Sequence, residues 1–204
     1  MASGGGSNSF IMLNKMVPAV ERSFRILDLL SSSSAPLGTS EVARRLRLAK
    51  STVHGLLRSL EAVGAVQEVH RRYRLGPTME RLATIGELRR QWRPVLQRLA
   101  DETQETAFLG QLRGSRIAIV DEVPGAGAPV ISGPVGRFVP AGAGALGKVL
   151  SGQRLAVDRG EYLEGVNAVA AVVPGGLIWV AGFSARLTPE RLEEVAELLG
   201  RLCE

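Results

Sequence analysis

The chain has 204 residues, of which 45% are apolar, 22% are charged and 24 are glycines, which indicates an ordinary globular protein of one or two domains. No stretch approaches the roughly 18 apolar residues of a membrane span, and the N-terminus lacks the apolar core of a signal peptide. These features exclude a membrane protein and predict a cytoplasmic one. The single cysteine, Cys203, excludes an internal disulfide framework and fits a reducing compartment.

Positive charge is concentrated in the first half of the chain. The net charge is +5, but residues 1–90 contain 14 Lys and Arg against 7 Asp and Glu, whereas the remainder contains 11 against 13. Such an asymmetry predicts a polyanionic partner at one end of the molecule and a different kind of function at the other.

A glycine- and serine-rich start predicts a disordered tail over residues 1–16. A helix follows Val17, and its main apolar stripe consists of Val20, Phe24, Leu27 and Leu30. Ile26 and Leu29 form a second apolar flank. Together the two stripes are wider than one small domain needs to bury.

Residues 39–63, TSEVARRLRLAKSTVHGLLRSLEAV, predict two short helices joined by a tight turn. Thr39 or Ser40 is a candidate cap for the first helix. Its inward side carries Val42, Ala43 and Leu46, and its outward side carries Arg44, Arg45 and Arg47. In the second helix one apolar stripe consists of Val53, Leu56, Leu57, Leu60 and Val63. The opposite face consists of Ser51, Gly55, Arg58 and Ala62, flanked by Thr52, His54 and Ser59.

That opposite face is short, polar and cationic, as expected of a helix that enters the major groove of DNA. Residues 65–75 then alternate as a β-hairpin, with His70, Arg71 and Arg72 at a basic tip. The alternative is a purely structural helical hairpin with a solvated arginine cluster. The helix pair, the polar cationic helix face and the basic hairpin tip all occur within about 40 residues, and this combination favours DNA binding.

The second half of the chain predicts an α+β domain. Residues 77–91 form a linker helix, and a separate helix covers residues 94–105. TAFLGQL and SRIAIVDEV form a hairpin, whereas the glycines and prolines of residues 129–140 allow at most an edge strand or two short strands. A short helix over residues 142–150, a strand–turn–strand unit and a final helix capped by Thr188 complete an antiparallel sheet with helices packed on it.

Two patterns imitate an enzyme without the context that one requires. Residues 142–147 fit GxGxxG and are followed by Lys148, but Val149 replaces the Ser or Thr of a P-loop, and no buried strand precedes the motif. Close packing at a helix start is the simpler interpretation. Asp121 and Glu122 point to opposite faces of a strand, which predicts a solvated Asp and a paired or exposed Glu. Both histidines lie in the basic half, so we predict no catalytic residues, no metal site and no cofactor.

The runs VPAVERSFRILDLL, LAKSTVHGLLRSLEAVGAV and YRLGP closely resemble the winged helix-turn-helix of the IclR family of bacterial transcription regulators. Later runs, including VGRFVPAGAGALGKVLSG and GFSARLTPERLEEVAELL, resemble pieces of that family's C-terminal effector domain. The resemblance covers nearly all of residues 17–202. It implies a DNA-binding domain over residues 17–76, the linker helix over 77–91, and a truncated GAF-like effector or dimerisation domain over 92–204.

From this resemblance and the helix face together, we predict a set of DNA-contacting residues. They are Thr39, Ser40, Arg44, Lys50, Ser51, Thr52, His54, Gly55, Arg58, Arg71 and Arg72. Double-stranded DNA is the predicted partner, bound by a homodimer or a dimer of dimers on an inverted repeat. Candidate dimer contacts are Phe24, Ile26, Leu29, Ile85 and Leu88, of which Phe24 is the one most expected in the core. A winged-helix module that binds an acidic protein is the alternative.

The effector domain departs from the family pattern. Only residues 152–160 stand where relatives carry a longer helical segment, and Ala168, Trp179 and Ala181 replace polar residues that face the ligand. The remaining candidate effector-binding residues are Gly136, Ala143, Gly144, Ala145, Asn167, Ala168 and Ala181. The domain therefore binds a small organic acid or a smaller, more apolar effector, or it serves mainly in dimerisation.

Overall fold

The computed structural model describes residues 17–203, so the predicted disordered tail at residues 1–16 lies outside the described residues. The chain divides into two units, one ending at Ala83 and the other beginning at Thr84. None of the helices in residues 17–203 is long and apolar enough to cross a membrane.

The first unit is a three-helix arrangement with a two-stranded hairpin. Its elements are α1 Pro18–Ser31, α2 Thr39–Leu46, α3 Lys50–Ala62, β1 Val66–Val69, β2 Arg72–Leu75 and the start of α4 Pro77–Thr103. One core joins the helices to the hairpin, and its fully buried members include Ile26, Val42, Val53 and Leu57. The predicted helix pair and the predicted hairpin are both confirmed.

The turn between α2 and α3 occupies only three residues. Arg47 ends α2 in the left-handed conformation at φ 55°, and the Leu48 N–H donates to the Ala43 carbonyl. The predicted cap of α2 is wrong, because Gly38 is the N-cap and no side chain caps the helix. Thr39 and Ser40 lie one and two residues too far into the helix to do so.

The buried face of α1 also differs from the prediction. Ile26 is fully buried beside Leu27 and Leu30, whereas Phe24 is 65% exposed. At 100° per residue, Val17, Val20 and Phe24 fall within about 60° of one another on the solvent side. These three residues form an exposed apolar stripe, here called the α1 stripe.

Helix α4 is one continuous helix of 27 residues, where the sequence predicts two. Pro94 lies inside it and cannot donate a backbone hydrogen bond, which normally ends or kinks a helix. Apolar residues on both sides of the proline pack in one core, and their burial stabilises the helix through residue 94. They are Leu88, Trp92, Leu96, Leu99 and Ala100. Leu88, a candidate dimer contact, is thus a core residue at 5% exposure.

The second unit contains a six-stranded antiparallel sheet in the order β5-β4-β3-β8-β7-β6. Its strands are β3 Thr106–Arg113, β4 Arg116–Val123, β5 Phe138–Pro140, β6 Leu155–Arg159, β7 Val166–Val173 and β8 Gly176–Phe183. The sequence prediction contained both hairpins and the short edge strand β5. It missed β6, which pairs with β7 along its whole length.

Helices cover both faces of this sheet. One face packs against α4 and against α6 Pro189–Leu202. Thr188 is the N-cap of α6, as predicted, and its hydroxyl accepts from the Arg191 N–H. The other face packs against the short helix α5 Gly144–Leu150. An α+β fold with an antiparallel sheet is therefore confirmed.

Asp121 corrects a further expectation, because it is buried and not solvated. Its carboxylate pairs with the Arg93 guanidinium of α4 at 2.6 Å. Glu122 points to the other face of β4, as predicted, and accepts hydrogen bonds from Ser132 and from the Gly133 N–H.

Candidate DNA-binding face and effector cavity

Helix α3 presents a polar face that the core of the first unit does not use. Val53, Leu57 and Leu60 are buried, and Lys50, Ser51, His54, Gly55 and Arg58 are exposed on the other side, with Thr52 half-buried. Among the described residues, Lys50, His54 and Arg58 find no side-chain hydrogen-bond or ion-pair partner. This face, residues 50–58 on the outer side of α3, is here called the α3 face.

The N-terminus of α3 adds an electrostatic feature to the same region. Ala49 is the N-cap, and no side chain accepts from the first-turn N–H groups. Uncapped N–H groups at a helix start attract anions, because the helix dipole places partial positive charge there. The α3 face and its helix start therefore fit a phosphate-bearing partner.

Arg44 and Arg45 of α2 differ in whether they form an ion pair. Arg45 pairs with Glu41 one turn earlier at 2.6 Å, whereas Arg44 is exposed and unpaired within residues 17–203. Ser40 is exposed beside it, and Thr39 is half-buried. Of the predicted α2 contacts, Arg44 and Ser40 are accessible to a partner.

The tip of the hairpin is a two-residue turn. His70 and Arg71 both have positive φ, 51° and 62°, as a type I′ turn requires. Arg71 is exposed at the tip, but Arg72 lies in β2, and its guanidinium donates to the Pro36 carbonyl at 3.0 Å. Because Arg72 is tied to the loop before α2, Arg71 is the one of these two arginines that extends freely from the hairpin, as far as the described residues show.

Tyr73 anchors the hairpin from its inner side. It pairs with Leu37 through two backbone hydrogen bonds, and its hydroxyl donates to the Glu68 carboxylate at 2.9 Å. Burial, followed by the Glu68 interaction, raises the pKa of Tyr73 above 10.0. The hydroxyl therefore stays protonated at neutral pH and joins the two strands of the hairpin, while the backbone bonds to Leu37 tie the hairpin to the loop before α2.

In the second unit, a cavity of about 220 Å³ opens on the α5 face of the sheet. The rings of Phe108 and Trp179 stack beside it with centroids 5.0 Å apart and planes 11° apart. Ile119, Ile131 and Val139 add aliphatic wall, and Asp158 contributes a buried carboxylate. A concave, mostly apolar site with few polar groups is the usual form of a small-molecule pocket.

The structure brings together four of the seven predicted effector residues. Ala143, Ala145, Ala168 and Ala181 line the cavity.

The other three residues lie elsewhere. Gly136 is in an exposed turn, where its N–H donates to the Ile119 carbonyl. Asn167 points to the opposite face of β7, and its amide donates to the Leu187 carbonyl at 2.8 Å. Gly144, at φ 42°, lies under Asp158, since a Cβ at this position would come within 1.7 Å of the Asp158 Oδ2.

The glycine motif is explained by this packing. A Cβ on Gly147 would meet the Gly142 carbonyl oxygen at 2.5 Å, so the helix start requires small residues. Lys148 donates to the Val157 carbonyl and pairs with Glu161 at 2.7 Å. Within residues 17–203, no three His, Cys, Asp or Glu side chains converge as a metal site.

Sequence reasoning missed Phe108 and Asp158 as cavity residues. Phe108 could have been assigned to one face of the sheet, because it lies in a predicted strand and points to the same side as Thr106. Asp158 follows Ala156 by two residues in β6, but that strand was not predicted, so its facing could not be assigned.

Comparison with protein families gives two matches in the order of the two units. A family model of the IclR helix-turn-helix domain matches residues 19–70. A family model of the bacterial transcriptional regulator IclR C-terminal domain matches residues 81–155. The two models describe successive parts of one type of regulator.

Individual relatives agree with these matches. The chain is 30% identical over 141 residues to the HTH-type transcriptional regulator XynR of Escherichia coli, covering 66% of this chain and 56% of XynR. It is 36% identical over 160 residues to the glycerol operon regulatory protein of Streptomyces griseus, covering 74% of this chain and 62% of that protein. The chain thus spans little more than half the length of the curated relatives it matches.

Solved structures agree in fold. An IclR family transcriptional regulator from Brucella abortus aligns with a TM-score of 0.53 at 20% identity, over 97% of this chain and 94% of that one. A second, from Alicyclobacillus acidocaldarius, gives a TM-score of 0.51 at 23% identity, over 92% and 96% of the two chains. At these identities the similarity concerns the fold alone.

Proposed function

Because this chain belongs to the IclR family of bacterial transcription regulators, we propose that it is a sequence-specific DNA-binding regulator and not an enzyme. The α3 face enters the major groove and the hairpin tip lies along the adjacent backbone or minor groove. The protein acts in the cytoplasm, where its operator is.

The α3 face is the observation that carries this proposal. It combines small side chains near an uncapped helix start with cations that have no partner among the described residues. We expect Ser51 and Thr52 to hydrogen-bond phosphate or base edges, and Arg58 lies further along the same helix. Such an arrangement attracts a polyanion, because phosphates that bind there release their own counterions.

Selection of DNA fragments by the purified protein, followed by sequencing, provides the operator for the test. Thr52→Ala and Arg58→Ala are each expected to lose roughly 1–3 kcal/mol of specific binding free energy. Matched controls are Ser59→Ala, whose hydroxyl donates to the Gly55 carbonyl, and Arg98→Ala, whose guanidinium pairs with Glu102 in the other unit. Wild-type operator affinity in both test variants would remove α3 from the groove.

The hairpin gives a second test through salt dependence. Each phosphate contact contributes a slope of about −0.9 to the log–log plot of affinity against salt concentration. Arg71→Ala is expected to flatten that slope, for specific and nonspecific DNA alike. Arg72→Ala instead removes the hydrogen bond to the Pro36 carbonyl. We therefore expect it to alter DNA affinity by shifting the hairpin, and not by removing a phosphate contact. An unaltered slope for Arg71→Ala would contradict the contact, and an acidic protein partner would give no selected DNA sequence.

We also propose that the protein binds as a homodimer. One helix-turn-helix contacts only a few base pairs, and a linked second copy acts at a high effective concentration. The α1 stripe is an exposed apolar surface of the first unit that could serve this purpose, with Val17, Val20 and Phe24 at 59%, 54% and 65% exposure. Two-fold symmetry then requires an inverted repeat with half-sites about 10 base pairs apart, or a multiple of that spacing.

The cavity in the second unit is the proposed effector site. The family model of the IclR C-terminal domain ends at residue 155, just where β6 begins. Ala143, Ala145, Ala168 and Ala181 keep the walls short enough to leave the cavity open. Calorimetric titration of small molecules into the DNA-free protein tests the site independently of the operator.

A further inference from the structure

Asp158 is the one charged side chain that lines the cavity of the second unit, as far as the described residues extend. It lies on the same face of β6 as the buried Ala156 and is itself only 5% exposed. The described residues that line the cavity include no lysine, arginine or histidine. The polar end of the cavity is therefore negative.

Local contacts hold the carboxylate in place. Its Oδ1 accepts from the Glu161 N–H at 2.7 Å. Its Oδ2 stands against Gly144 at the start of α5, in space that any side chain at residue 144 would occupy. A carboxylate from the chain itself thus fills the position next to the helix start.

This placement sets the charge of an acceptable ligand. An anionic ligand would lose its hydration in a largely apolar cavity and would meet a second negative charge there. A protonated amine or a hydroxyl would instead donate a charge-assisted hydrogen bond to Asp158, which is stronger than a neutral one.

The walls set the shape of the ligand. Phe108 and Trp179 are nearly parallel and give the cavity a flat aromatic side. An apolar cavity of about 150 Å³ holds benzene. The cavity of about 220 Å³ therefore accommodates one ring with a small substituent.

We propose that this cavity binds a single-ring aromatic molecule bearing a hydrogen-bond donor, as a protonated amine or a hydroxyl, and rejects aromatic carboxylates. The inference rests on the proposed use of the cavity as an effector site and adds the ligand class. It follows from this chain's Asp158 and its aromatic wall.

The test uses benzylamine, benzyl alcohol and benzoate, which share one ring and differ in the polar group. Isothermal titration calorimetry on the full chain without DNA measures binding, and the fluorescence of Trp179 in a Trp92→Phe background reports occupancy of the cavity. The two tryptophans of the chain are Trp92 and Trp179. Benzylamine is expected to bind about 10- to 100-fold more tightly than benzoate, the range of one hydrogen bond to a charged group.

Three variants separate the roles of charge and space. Asp158→Asn is expected to remove most of the preference for benzylamine over benzoate. Glu161→Gln removes a neighbouring negative charge that pairs with Lys148 and does not line the cavity, so it should keep the preference. Ala168→Leu fills the cavity and should abolish binding of benzylamine, with the fold checked by circular dichroism.

Benzoate binding as tightly as benzylamine to the wild-type protein would overturn the proposal, whatever the variants do. The proposal also fails if neither benzylamine nor benzyl alcohol binds. Because all of these titrations omit DNA, such a failure leaves the operator-binding measurements untouched and is distinguishable from a failure of the proposed DNA-binding function.

Discussion

Gly55 occupies the middle of α3, on the face that points away from the core. A methyl group added there would meet no atom within 4 Å, so the first unit gives no packing reason for a glycine. Glycine inside a helix costs about 1 kcal/mol relative to alanine, because the unfolded chain has more backbone freedom to lose. The variant Gly55→Ala is therefore expected to raise the free energy of unfolding by about 1 kcal/mol.

A matched control exists in α4. Gly86 also lies inside a helix, is exposed, and would meet no atom within 4 Å as alanine. Gly86→Ala is expected to give a similar gain in stability, measured for both variants by urea denaturation monitored by circular dichroism. The two substitutions differ in position: only Gly55 lies on the α3 face.

Operator binding separates the two glycines. If α3 lies in the major groove, the added methyl group at Gly55 enters the space taken by DNA, and we expect operator affinity to fall about tenfold, or about 1.4 kcal/mol. Gly86→Ala should bind with wild-type affinity in the same fluorescence anisotropy titration. A Gly55→Ala protein that is more stable and binds equally well would refute the close approach. One that is no more stable, while Gly86→Ala is, would refute the helix-propensity argument.

Three further predictions use the pKa shifts and the α1 stripe. Because the pKa of Tyr73 is raised above 10.0, its protonated hydroxyl stabilises the first unit below that pH, and the wild-type advantage over Tyr73→Phe in urea denaturation should shrink as the pH rises further. Burial raises the pKa of Cys203 from 9.0 to about 11, so iodoacetamide should alkylate the native thiol at pH 8 about 100-fold more slowly than the unfolded one. Phe24→Glu should change stability by less than about 0.5 kcal/mol and give a monomer in light scattering, whereas Ile26→Glu buries a charge and should unfold the unit.

The α3 face and the hairpin could be predicted because local pattern and tertiary packing agree there. Val53, Leu57 and Leu60 have helical spacing and are all buried. In α1 the pattern was ambiguous, since apolar residues cover more than half of the helix circumference. Periodicity identifies the apolar residues of the helix but not which side of it the neighbouring elements cover. For this reason the sequence pattern predicted a core position for Phe24 and a dimer contact for Ile26, whereas Ile26 is buried and Phe24 is exposed.

The second unit shows where local rules lose to packing. Pro94 predicted a helix boundary, but burial of apolar residues on both sides of it outweighs one missing backbone hydrogen bond. Strand β6 has only five residues and ends in Asp158 and Arg159, so its own sequence is a weak signal. Its conformation is set by pairing with β7, which is information that the segment itself does not carry.

Lys148 shows why the glycine motif could not be interpreted from spacing alone. In a nucleotide site this lysine would point toward phosphates, but here it donates to the carbonyl of Val157 on β6 and pairs with Glu161. Glu161 in turn donates its N–H to Asp158, so one chain of contacts joins α5, the edge strand and the carboxylate in the cavity. The Lys148 ammonium thus covers a backbone carbonyl of the edge strand β6, where exposed backbone groups could otherwise pair with another strand. Since Lys148 is engaged by Val157 and Glu161, these contacts leave the Asp158 carboxylate to a donor group of a ligand in the proposed effector site.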